Sequence, residues 1–186
     1  MLAAGAVACE PPTVEQRGDA SGQRVWAALT ERGLSNVAMK PGVNIRRFTD
    51  VDMHGQGEIT YDKATGYLTL APGAYRVDGW SLTTFGWMLT PQQLAARYSA
   101  PGYAFIWNVD DSKMEILASL QDPLDSTPSV LNGVLKVEKT TSYYLAHQNG
   151  DKVEGISLEL YDARARMPDG QISTNHAFAQ LVVEKL

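Results

Sequence analysis

The chain has 186 residues, 44% hydrophobic and 20% charged, a globular composition that excludes a mostly disordered chain. Its net charge is −5 and it carries no basic stripe, which counts against nucleic-acid binding through phosphate neutralisation. A single cysteine excludes a disulfide framework and a four-cysteine zinc site, and no run of about 18 apolar residues is present to form a transmembrane helix.

Met1 to Ala8 are small and apolar, and Cys9 follows, then Glu10-Pro11-Pro12. This is similar to the end of a bacterial lipoprotein signal, which makes Cys9 the candidate lipidation site. Against it, no Lys or Arg precedes Cys9 to form a positive n-region, and Ala6 stands where that motif usually has Leu. An ordinary N-terminal arm is the competing reading. Residues 10–22 are polar and carry Pro and Gly, as a linker does. Val25-Trp26-Ala27-Ala28-Leu29, closed by Gly33, predicts a short helix within residues 23–33 with Trp26 and Leu29 on one face. Pro41-Gly42 marks a boundary, so residues 1–42 read as arm and linker and residues 43–186 as the main domain.

From Val43 onward period-two alternation predicts strands. Tyr103, Phe105, Trp107 and Val109 alternate with Ala104 and Asn108. Met114, Ile116, Ala118 and Leu120 alternate with Lys113, Glu115 and Ser119. Ile156, Leu158 and Leu160 do the same, as do Leu181 and Val183. Turns separate these runs at Asp62–Gly66, Pro72-Gly73, Asp110–Ser112 and Asn149-Gly150. The last predicts a hairpin between Tyr143–His147 and Val153–Leu160. Thr90–Arg97 is the one helix predicted inside the domain, with Thr90 as cap and Pro91 in the first turn. The expected fold is all-β, an antiparallel two-sheet jelly-roll sandwich behind a short N-terminal arm or helix.

The segment Tyr61 to Val77, YDKATGYLTLAPGAYRV, resembles the tumour-necrosis-factor/complement-type globular head. Gly150-Asp151-Lys152-Val153 and the final run from His176-Ala177-Phe178 to Val183 fit the same pattern. The chain is also similar to jelly-roll modules at the ends of phage tail fibres, through Leu70 to Tyr75, Trp107 to Ser112 and Tyr144 to His147. The resemblance covers about residues 43–186. It departs in lacking a collagen-like stalk and in carrying an insert near Thr90–Ala100. It implies a homotrimer that recognises ligands through loops or outer faces.

Chemistry-bearing motifs are scarce. His54, His147 and His176 share no zinc spacing, and there is no nucleophile elbow or phosphate-cradling glycine loop. His147 and His176 read as hydrogen-bonded strand-end side chains, with a pH-sensitive contact as the sharper reading. Calcium is the one cofactor considered, at Asp110-Asp111 or at Asp122 with Asp125, although turn hydrogen bonding explains these aspartates as well. Glu115 and Glu159 lie on predicted strands and read as solvated charges rather than a glycosidase pair. Most of the aromatic residues are expected in the core. Between Tyr75 and Trp87 both strand faces are apolar, with Tyr75, Val77, Phe85 and Trp87 opposite Trp80 and Leu82. That suits a second sheet on one side and a neighbouring subunit on the other. Trp80, Trp87 and Tyr144 are therefore the residues assigned to a subunit interface or to ligand stacking.

The expected role is a non-enzymatic, surface-displayed module, a virion fibre, decoration or attachment component. It would be trimeric, joined to a larger assembly by its arm, with a protein or glycan ligand and no nucleic acid. The alternatives are an envelope lipoprotein lipidated at Cys9 and a glycan hydrolase on the same scaffold.

Overall fold

The structure is a computed structural model that describes residues 24–33, 39–40, 42–55, 57–85, 91, 102–121, 127–149, 156–157 and 176–186. The strands in chain order are β1 (Trp26–Gly33), β2 (Gly42–Ile45), β3 (Asp50–His54), β4 (Ile59–Asp62), β5 (Tyr67–Leu70), β6 (Gly73–Ser81) and β7 (Thr84–Phe85). They continue as β8 (Gly102–Asn108), β9 (Lys113–Gln121), β10 (Ser129–Val137), β11 (Thr141–Asn149), β12 (Ile156–Ser157) and β13 (His176–Lys185).

Two antiparallel sheets face each other. One has the order β10-β6-β13-β1-β3; the other has the order β4-β5-β11-β8-β9, with β2 also paired to β11. The chain changes sheet between β1 and β2, β2 and β3, β3 and β4, β5 and β6, β6 and β8, β9 and β10, β10 and β11, and β11 and β13. This repeated crossing makes the sandwich compatible with a jelly roll. Alternation explains the core. The five-stranded sheet turns Leu29, Tyr75, Val77, Leu131, Leu135, Leu181 and Val183 inward, and the six-stranded sheet turns Leu68, Leu70, Ile106, Ile116, Tyr143 and Leu145 to meet them.

Local turn chemistry sets the registers. Asp62 accepts hydrogen bonds from the Ala64 amide and the Thr65 hydroxyl, both at 2.8 Å. The Gly66 amide closes that β4–β5 turn on the Asp62 carbonyl at 2.8 Å, with φ at +82°. A side chain at Gly66 would be strained by that φ and would press on the Arg46 carbonyl.

Three expectations from the sequence are corrected. The helix within residues 23–33 is instead strand β1, an interior strand between β13 and β3. Its Ala27 and Leu29 point into the core. The apolar run that suggested helical spacing is a strand covered on its inner face and carrying Trp26 outside. Consequently the domain does not begin at residue 43, because β1 belongs to the sandwich. Finally, the described part of the second run after Asn149-Gly150 does not pair with β11. Ile156–Ser157 pairs with Thr84–Phe85, while both edges of β11 are taken by β8 on one side and by β5 and β2 on the other. The expected helix at Thr90–Arg97 lies outside the described residues apart from Pro91.

Candidate functional site

The two ends of the sandwich differ. At one end the chain enters and leaves: the Lys185 amide donates to the Val25 carbonyl at 2.9 Å, and the Leu186 amide to the Ala74 carbonyl at 2.9 Å. The strand ends at the other end include Gly33 facing His176, Ser81 facing Ser129, and Gly102 facing Gln121. The segments between described strands around residues 34–41, 86–101, 122–128 and 150–175 all attach there.

Beneath that loop end lies a buried polar layer. Ser81 Oγ is 2.9 Å from His147 Nδ1, and Thr83 Oγ1 is 3.4 Å from His147 Nε2. Thr83 donates to Gln121 Oε1 at 3.0 Å, and Gln121 returns a bond to the Thr83 carbonyl. Beside them Arg46, 1% exposed, sits 2.8 Å from a Glu31 carboxylate oxygen, although its Nε–H does not point along that line. Its Nη2 donates to the Phe178 carbonyl at 2.7 Å. Burial pushes the Glu31 carboxyl up and the Arg46 guanidinium down, and their mutual attraction opposes both shifts.

The serine–histidine contact is not arranged for nucleophilic catalysis. Both side chains are fully buried, and the charge that acts on the imidazole is the Arg46 cation, where a catalytic triad places a carboxylate. Burial, with Arg46 adding to it, lowers the His147 pKa to about 3. The unfolded imidazole takes a proton near pH 6.5 and the folded one does not, so stability is lost as pH falls below that value. Between pH 7 and pH 4.5 the loss from this group is about 2–3 kcal/mol. Glu31 works the opposite way, since its raised carboxyl favours folding at low pH and offsets part of the loss. Denaturant unfolding across this range should therefore show an acid limb that His147→Gln flattens.

The outer face of the six-stranded sheet carries three uncharged cross-strand rows, in which Ala146 and Phe105 are themselves buried. Tyr67 stacks on Tyr144 at 5.8 Å, Tyr144 faces Trp107, and Trp107 faces Met114. The second row is Ile45, Ala146, Phe105 and Leu117; the third is Val43, Gln148, Tyr103 and Leu120. None of these residues is charged. Leu117 is 60% exposed and Leu120 68%.

On the five-stranded sheet Trp80 points outward between Val130 and Gln180, over a shallow depression of about 250 Å³ that Val182 and Asn132 also line. Val130 and Val134 are about half exposed. Strands β9 and β10 close the same margin, joined where the Val130 amide donates to Ser119 Oγ at 2.9 Å. On this face Trp80, Val130 and Val134 stand among Arg76, Asp78, Asn132 and Lys136, and the exposed Leu117 and Leu120 lie across the margin on the other sheet. The opposite margin is charged: β3 carries Asp50 and Asp52, and Arg32 pairs with Asp50 at 2.7 Å.

Of the residues assigned to an interface from sequence, Trp80 and Tyr144 are half-buried on outer faces, one on each sheet. They stand on different sheets and form no single cluster. Trp87 and Cys9 lie outside the described residues. The expectation that most aromatic residues fill the core is corrected. Tyr75 and Tyr143 do and Phe105 is also buried, but Tyr67, Trp80, Tyr103, Trp107 and Tyr144 stand half-buried on the outer faces. On β8 the smaller Ala104, Ile106 and Asn108 take the inward positions.

At the arm end, a groove of about 570 Å³ opens between the β8–β9 and β10–β11 turns. Sequence reasoning missed it, because its walls come from two turns brought together only by the fold. No group of three or more His, Cys, Asp or Glu among the described residues is placed to hold a metal ion. Asp110, in the β8–β9 turn, accepts the amide of Ser142 on β11 at 3.1 Å, a long-range bond. Asp122, Asp125 and Glu159 lie outside the described residues. His147 is a hydrogen-bonded core residue, and His176 is half-buried with its ring edge against Phe178 at 6.4 Å. Compared with known proteins, the chain matches no family model and no curated protein sequence.

Proposed function

We propose that the chain is a non-enzymatic display head: a jelly-roll module of the tumour-necrosis-factor/complement type, assembled as a homotrimer on a virion. Its N-terminal arm ties it to the larger assembly, and its loops and outer faces recognise a protein or glycan ligand. The strand order and the sequence segments from Tyr61 to Val77 support the family reading. The separation of ends supports display, since the arm enters at one end and the loop attachments gather at the other. Loops on a rigid sandwich are where recognition usually resides. The closed Ser81–His147 pair supports the non-enzymatic reading.

The observation that carries the proposal is the set of large aliphatic side chains left exposed on the edge strands β9 and β10, Leu117, Leu120, Val130 and Val134, with Trp80 beside Val130. Soluble monomers rarely leave several large aliphatic side chains exposed together, and an exposed sheet edge invites pairing. A second copy fits it. One subunit's Leu117 and Leu120, on the six-stranded sheet, would cover the next subunit's Trp80, Val130 and Val134, on the five-stranded sheet, and repetition around a three-fold axis closes the ring.

The double substitution Leu117→Glu with Leu120→Glu tests this. Burying a leucine is worth about 1.5–3 kcal/mol, so the pair should weaken association by about 10²–10⁴-fold. Light scattering should then give a monomer with an unchanged far-ultraviolet β-sheet signature. A variant that keeps the mass of the parent would overturn the assignment of this margin.

A further inference from the structure

The groove at the arm end differs in chemistry from the aromatic rows of the six-stranded sheet. Its walls hold Lys113, Lys136 and Lys139 against Asp111, Glu115 and Glu138, an equal number of each sign. Asn108, 2% exposed, organises one wall. Its amide nitrogen donates to Asp111 at 3.1 Å and to Glu115 at 2.9 Å, and its oxygen accepts the Asp111 amide at 3.0 Å. The two carboxylates are thereby fixed side by side. Lys113 lies 3.2 Å from Glu115, and Lys139 lies 3.7 Å from Asp111. On the facing wall, Lys136 at the end of β10 and Glu138 after it make no side-chain hydrogen bond or ion pair with any other described residue.

We infer that this groove is a binding site for a neutral, hydroxyl-rich ligand, a saccharide of one or two rings. The charge balance decides between ligand classes. A phosphate would meet three carboxylates and a divalent cation three ammonium groups, so neither gains a net attraction. A hydroxyl-rich ring both donates and accepts, and it finds fixed acceptors at Asp111 and Glu115 and donors at Lys136 and Lys139. The volume falls within the usual range of small-molecule sites, about 300–1,000 Å³. A protein partner would want an apolar centre, which this groove lacks: Val137 is its one aliphatic lining residue. Catalysis is not implied, because each fixed carboxylate is already engaged by a lysine and no tryptophan forms a wall.

The site is independent of subunit assembly and can be tested apart from it. The full chain is titrated by calorimetry with glucose, galactose, mannose and N-acetylglucosamine and with their β-linked disaccharides. At least one should bind with a Kd of about 1 mM or tighter. Lys136→Gln with Glu138→Gln should weaken that binding at least about tenfold, or about 1.4 kcal/mol, with mass and thermal midpoint unchanged. The inference is overturned if no saccharide binds up to about 10 mM, where such a site would be mostly filled. Binding that the double substitution leaves untouched overturns it as well, and so does preferential binding of inorganic phosphate or Ca²⁺.

Discussion

Replacing Glu31 by Gln will cost about 3–5 kcal/mol of folding stability, the usual loss when one member of a buried ion pair is removed. Arg46 reaches between the sheets with 1% of its surface exposed, and Glu31 is the anion within ion-pair distance of it. Its remaining bonds, to the Phe178 carbonyl and the Met39 sulfur, are neutral and do not compensate a buried positive charge. The converse substitution, Arg46→Met, should cost less. The Glu31 carboxyl it strands is already pushed up by burial and can take a proton. Combining the two should recover much of the loss, since replacing both partners removes both buried charges. Chemical denaturation of the single and double variants measures this. Equal losses from both singles, with no recovery in the double, would show that the pair is not electrostatically coupled.

Leu181→Ala will cost about 2–5 kcal/mol, because it opens a cavity at the centre of the sandwich. Leu181 is 1% exposed on β13, opposite Leu29 on one side and Gly79 on the other. Gly79 leaves no room for compensation by a larger neighbour, since a Cβ there would meet the Gln180 carbonyl at 2.7 Å. The next residue gives the contrast. Val182 points outward beside Asp78, so Val182→Ala should change monomer stability by no more than about 1 kcal/mol. Its effect should fall instead on self-association. Equal destabilisation by the two substitutions in a monomeric background would contradict the assignment of faces.

Much of the fold was legible because sheets announce themselves by alternation and turn chemistry. Asp62–Gly66, Pro72-Gly73 and Asp110–Ser112 each bring their own backbone constraint, and each joins the strands expected of it. The double-faced apolar run from Tyr75 left open which face would meet the core; Tyr75 and Val77 do, Trp80 stands outside, and Leu82, expected on the face of Trp80, is buried. What stayed hidden was set by tertiary context. The segment Trp26–Leu29 has residues apolar at helical and strand spacing alike, and only its place between β13 and β3 decides between them. The aromatic residues of β8 are larger than their neighbours and so suggested the core face, but the space between the sheets is filled from both sides and takes Ala104 and Ile106 instead. At Asn149-Gly150 a strong local hairpin signal met a strand whose two edges were already occupied. The groove joins Asn108–Glu115 to Lys136–Tyr143, two turns whose proximity no local pattern encodes.

The mass of the full chain in solution tests the central claim most directly. At about 10 μM, a concentration at which a stable assembly stays intact, native mass spectrometry should give a species three times the 20.3 kDa chain. A single species at 20.3 kDa would contradict the trimeric display head and leave the exposed aliphatic side chains of β9 and β10 without a second copy.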